Sequence, residues 1–167
     1  LALRMHAANL KIEGGQEQAG LGDLRKIAEA DPQNIWGWMA LGTAHQWLGC
    51  DSEAEECLRR AASLRDSEPR DRALAYKYLF DLFGIQNRIY EAVDTWEEMC
   101  QLDPSLQATL PELCSVLIHW RYFQTAQDYL KREPLRLRQL FYEGLIDAST
   151  GSIPQAFRTR VQVPNHD

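Results

Sequence analysis

The bulky residues Trp38, Leu41, Leu58, Tyr76, Leu79, Trp96 and Leu130 recur at helical spacing among polar positions, the signature of amphipathic helices. Small residues, Ala8, Gly42, Ala54, Ala92, Ala126, Gly144 and Ala156, fall where paired helices would cross. A larger side chain at those places forces the axes apart. Tight turns are expected at Gly15, Gly49, Asn87 and Gly151, since Gly and, to a lesser degree, Asn tolerate the left-handed backbone that ends many helices. Arg121 stands at the corresponding place in the fourth block without that tolerance, which marks the block as irregular. Asp31-Pro32 and Asp103-Pro104 each stop one helix and let another begin. Apart from Val161-Gln162-Val163, no alternation of β type competes with an all-α reading.

The pattern is periodic. Gly20, Ala54, Ala92, Ala126 and Ala156 are separated by 34, 38, 34 and 30 residues. The longer step contains Ser67-Glu68-Pro69-Arg70, read as an inserted turn, and the shorter one contains Pro134, which would end a helix early. Trp38-Met39-Ala40-Leu41-Gly42-Thr43-Ala44-His45 matches W-x2-L-G-x2-Y with His for Tyr, and Ala54 with Leu58 matches A-x3-F with Leu for Phe. Glu91-Ala92 to Trp96, followed by Leu102-Asp103-Pro104, repeats the second half of the unit. On these residues the chain resembles the tetratricopeptide repeat (TPR) family. The resemblance implies a right-handed α-superhelix, a solenoid of about five antiparallel helical hairpins. Its units fall at about 1–34, 35–68, 73–106, 107–136 and 137–163, the last two irregular.

Composition narrows the partners. A 167-residue chain that is 45% apolar can bury a sizeable core. Its net charge of -6 argues against nucleic-acid binding, which needs a basic face. Lys131, Arg132, Arg136 and Arg138 around Glu133 are too short a run to change that and are read as a solvated face or a minor contact. No apolar run approaches the ~18 residues of a membrane span, and the N-terminus lacks the order of a signal peptide. A soluble, cytoplasmic location is expected. Because the sequence opens at Leu1 rather than Met, a fragment of a longer protein, with any targeting segment lost, is also expected. Cys50, Cys57, Cys100 and Cys114 form no C-x-x-C pair or zinc-type spacing and are read as reduced packing residues.

The sequence carries no phosphate loop, G-x-S-x-G elbow or H-E-x-x-H helix. Gly20-Leu21-Gly22 lacks the third glycine and the preceding strand of a dinucleotide fingerprint. His6, His45, His119 and His166 fall in different units; His45 takes an aromatic core site and is expected to pack there with one hydrogen bond. Neighbours in the pairs Glu55-Glu56 and Glu97-Glu98 point about 100° apart on a helix and do not share a substrate. The expectation is a protein with no catalytic, metal-binding or cofactor-binding residues.

In proteins of the family it resembles, first helices line a concave groove that holds a peptide or a partner helix. Carried onto this chain, the groove residues are Trp36, Met39, Thr43, Gln46 and Trp47, then Lys77, Asp81 and Ile85, then Ser115, Ile118, His119, Arg138 and Phe141. Trp is enriched among interface anchors and Met adapts to apolar ligands. Some members clamp acidic chaperone tails with Lys, Asn and Arg; here Asp81 stands where an amide would be wanted, which disfavours such ligands. A mixed apolar segment with a few basic groups fits better. The expected function is a protein-interaction scaffold. The alternative is a sensory or regulatory repeat domain of a larger enzyme or transcription regulator, and a terminal hairpin that buries its apolar side against a second copy would make a homo-oligomer.

Overall fold

The computed structural model describes residues 1–131, 144–146 and 150. They form an all-α structure in two compact units, Leu1–Leu106 and Gln107–Asp167. The first unit holds three hairpins: α1 (Ala2–Glu13) with α2 (Glu17–Ala30), α3 (Ile35–Trp47) with α4 (Asp51–Ser63), and α5 (Pro69–Ile85) with α6 (Ile89–Leu102). The second opens within a 3-10 turn (Pro104–Thr109) and pairs α7 (Leu110–His119) with α8 (Phe123–Leu130). Residues expected to form the fifth hairpin, 144–146 and 150 apart, lie outside the described residues, as does Pro134.

Two local expectations are corrected. Pro69 and Arg70 do not form an inserted turn; they begin α5, with Pro69 in its first turn, where its missing N–H costs nothing. Arg121 takes the left-handed conformation despite its side chain, at φ 67°, alongside Gly15 at 80°, Gly49 at 73° and Asn87 at 58°. Backbone bonds hold it there, with Arg121 N–H donating to Ile118 O at 3.0 Å and Tyr122 N–H to Leu117 O at 2.8 Å. The same closure recurs at Gln16, Cys50 and Arg88, so the fourth hairpin keeps the geometry while lacking the glycine.

Hairpins close on small residues. A Cβ on Gly42 would stand 2.8 Å from Leu58 Cγ, and one on Gly20 would collide with Ile12 and lie 2.6 Å from the Ala8 carbonyl oxygen. Between hairpins, a Cβ on Gly37 would stand 3.1 Å from Ala28 Cα. Ala54, Ala92 and Ala126 are each fully buried. The rule is not uniform: Phe80, also buried, occupies in α5 the register of Ala8 and Gly42, leaving Ala92 as the small residue at that crossing.

Polar groups tie one hairpin to the next. Trp38 Nε1–H donates to Pro32 O at 3.0 Å, and Arg60 lies over the indole at 4.1 Å from the ring centroid. Arg88, at the start of α6, donates to both Glu55 oxygens on α4 and to Glu91, and sits 4.4 Å over the Phe83 ring. This pairing holds the Glu55 carboxyl below its ordinary range and raises the Arg88 pKa. Arg72 Nε–H donates to Ala62 O at 3.0 Å, joining the start of α5 to the end of α4. In the first hairpin Arg4 stands at the register of Trp38, and a pocket of about 210 Å³ bounded by Arg4, Ala7, Asp23, Lys26 and Ile27 occupies the corresponding space.

Two glycines of α2 give a paired test. Gly20→Ala is expected to lose roughly 1–3 kcal/mol, because the new methyl meets backbone that cannot yield. Gly22 has open space around it, so Gly22→Ala is expected to gain about 0.5–1 kcal/mol from helix propensity. Urea unfolding of the two variants reads both signs.

Candidate functional site

Within the first unit α3 touches both α1 and α5, whereas α2, α4 and α6 make no comparable contacts with one another. The first helices therefore lie closer together than the second helices, and the surface they share is the inner, concave one. Positions on it repeat with the period of the hairpins: Asn9, Thr43 and Asp81 share one register, and Glu13, Trp47 and Ile85 the next.

Eight of the groove residues expected from sequence fall in this unit, and they do not behave alike. Trp36 is 42% exposed and Trp47 67%, so both indoles are open to a ligand. Asn34 caps α3 by accepting from Trp36 N–H at 3.1 Å, which fixes where Trp36 leaves the helix. Gln46 is half-buried. Thr43 is also half-buried, and its hydroxyl donates back to the carbonyls of Met39 and Ala40 at 3.0 and 3.1 Å. Met39 is buried at 3% exposure, and so offers no open surface. It lies on the middle one of the three first helices, which touches both α1 and α5. Lys77 and Asp81 pair with each other at 2.8 Å, and Lys77 Nζ lies 5.4 Å from the Phe80 centroid. Ile85, one turn beyond Asp81, is 73% exposed.

A pocket of about 240 Å³ opens between α1 and α3, lined by Asn9, Ile12, Glu13, Thr43, Ala44 and Trp47. Asn9, Ile12 and Glu13 were missed in the sequence reading. Subtracting the 34-residue step from Thr43 and Trp47 leads directly to Asn9 and Glu13, so the signal was present in the first repeat.

In the second unit Ser115 is exposed on α7 and its hydroxyl donates to Pro111 O at 2.8 Å. Ile118 is half-buried, and His119 is exposed, its ring edge-on to Trp120 at 4.8 Å between centroids. Arg138 and Phe141 lie outside the described residues.

No group of three or more His, Cys, Asp or Glu among the described residues is placed to hold a metal ion. Cys57, Cys100 and Cys114 are buried and Cys50 is half-buried, all as free thiols. Burial pushes the Cys57 and Cys100 thiols up to about 11, which disfavours the reactive thiolate. His45 takes the core site expected of it. It packs at 5% exposure, but Nδ1 is buried without a hydrogen-bond partner.

This geometry matches solved helical-repeat structures. The chain superposes on the nearly identical TPR-like repeats of a Podosopora anserina protein named for kinesin light chain with a TM-score of 0.65. The two are 17% identical, over 97% of this chain and 89% of that one. It superposes on MamA with a TM-score of 0.55 at 18% identity, over 86% of this chain and 94% of that one. No protein-family model matches the sequence, and no curated protein is a close enough match to count as a relative. The likeness is one of fold: the chain is a TPR-like helical repeat. Among the described residues no helix is long and apolar enough to cross a membrane.

The buried imidazole makes stability depend on pH. Burial is the main cause that lowers the His45 pKa below its ordinary 6.5, with Arg25 adding to the shift and Glu53 opposing it. A group whose folded pKa is depressed contributes fully above its unfolded value and loses that contribution as pH falls. Wild-type thermal stability is therefore expected to decline from about pH 7 toward pH 5. His45→Phe should flatten that slope in melting curves recorded across the range.

Proposed function

We propose that the chain is a protein-interaction scaffold that holds a segment of another polypeptide along the inner face of its first helices. The observation that carries this reading is the pair of open indoles, Trp36 and Trp47, at the two ends of α3. Aromatic side chains offer large contact area at little entropic cost, and Trp is enriched among interface anchors. The pocket beside Trp47 supplies the concavity that a flat helical surface lacks. The self-pairing of Lys77 with Asp81 supports the view that an acidic tail is not the ligand, because the cation it would need is already engaged. No catalytic step enters this reading.

Selection from a displayed library of random dodecapeptides tests it. Wild-type protein should enrich peptides whose affinity falls at least tenfold, about 1.4 kcal/mol, when Trp36 and Trp47 are both replaced by Ala. Helicity by circular dichroism should be unchanged, since neither indole is buried. Unaltered affinity would move the site off this face.

A second reading, self-association, is favoured by one comparison of registers. Leu1, Leu3 and Leu10 on α1 are 54%, 85% and 52% exposed. Their counterparts Ile35, Gly37 and Ala44 on α3, and Ala73, Ala75 and Leu82 on α5, are buried. A second copy covering the α1 leucines would give a dimer whose mass falls on dilution, and Leu3→Glu should abolish it. A strict monomer at high concentration in light scattering rejects this contact.

A further inference from the structure

The pocket between α1 and α3 has a lining that selects among ligand side chains. Its apolar surface comes from Ile12 and Ala44, both buried, and from the Trp47 indole, which is 67% exposed. Its polar groups are Glu13, Asn9 and Thr43, and no ammonium or guanidinium lines it. Glu13 is exposed and has no ion-pair partner among the described residues. The other acidic residue singled out on this face, Asp81, is already paired with Lys77. The Thr43 hydroxyl spends its hydrogen on the carbonyls of Met39 and Ala40, so toward the pocket its oxygen can only accept. The Asn9 amide can turn its oxygen the same way.

An apolar floor, an indole face, an unpaired carboxylate and acceptor oxygens together describe a receptor for a cation on an aliphatic stem. We infer that the segment held on the inner face places a basic side chain, arginine in preference to lysine, in the pocket formed by Asn9, Ile12, Glu13, Thr43, Ala44 and Trp47. The methylene stem covers Ile12 and Ala44, and the guanidinium lies against the Trp47 ring and donates to Glu13. Arginine is favoured because its planar group stacks on indole and presents five donors with no acceptor to a site of acceptors. This inference rests on the reading of the inner face as a peptide groove and adds the chemistry of one subsite.

The same dodecapeptide library separates the two claims, using wild type, Glu13→Gln and Trp47→Ala. Glu13 is exposed, so the isosteric change leaves the fold intact, which circular dichroism checks. The expected result is that wild type enriches peptides with Arg or Lys at one shared position. Replacing an Arg at that position by its neutral isostere citrulline should then weaken binding at least fivefold in wild type and less than twofold in Glu13→Gln. The wild-type affinity should also fall as salt rises. Enrichment of peptides with no basic preference, or a citrulline penalty that persists in Glu13→Gln, overturns the inference while the groove stands. Absence of any enriched peptide overturns the groove reading and this inference with it. As an independent readout, Nα-acetyl-arginine amide should shift the Trp47 indole N–H resonance saturably and the citrulline analogue should not; equal shifts would reject the guanidinium preference.

Discussion

Everything in the first unit depends on how closely two helix axes approach. At Gly20 and Gly42 the partner helix lies so near that a single added carbon would overlap it, and Gly37 brings successive hairpins almost as close. Close approach lets short side chains exclude water and turns each pair of helices into one rigid plate. Plates of this kind cannot bury both faces alone, so each needs its neighbour. The concave surface is a by-product of that stacking. It forms because first helices touch first helices while second helices stand apart.

Apolar contact sets the spacing, and a few polar groups set the register between hairpins. The Arg88 cluster illustrates the division of labour. One guanidinium reaches Glu55 on the preceding hairpin and Glu91 on its own, and rests on Phe83, so its position reports on three elements together. These groups are partly exposed and solvent screens their attraction, so their value lies more in specifying one arrangement than in raw stability. Trp38 works the same way, with its indole N–H bonded to the loop before it and its ring under Arg60. Where the first hairpin carries Arg4 in place of that tryptophan, a pocket lies in the corresponding space.

The inner face inherits its character from position along the stack. Met39 and Trp47 lie two turns apart on α3, yet one is buried and the other is open. Helix α3 as a whole touches both α1 and α5, yet cover varies from one side chain to the next along it. Ile85 on α5 is open at the same register, so the exposed apolar groups fall together at the ends of the first helices. A ligand that reads this surface meets aromatic and aliphatic groups with a carboxylate, Glu13, beside them.

Most of the architecture was legible in the sequence, because helical period, hairpin turns and small residues at crossings are local or strictly periodic signals. The tight turns at Gly15, Gly49 and Asn87 follow from residue type alone, and the spacing of Ala54 and Ala92 places their hairpins. What residue type could not reveal was set by neighbours distant in the chain. Arg121 is held left-handed by backbone hydrogen bonds, Pro69 extends α5 instead of interrupting the chain, and His45 is buried with Nδ1 unpaired. The sequence by itself determined that helices form and pair, since backbone preference and amphipathic period act over a few residues. Only the tertiary structure decided which side chains of the inner face stay open and where its pocket lies, because exposure depends on which helices arrive on either side.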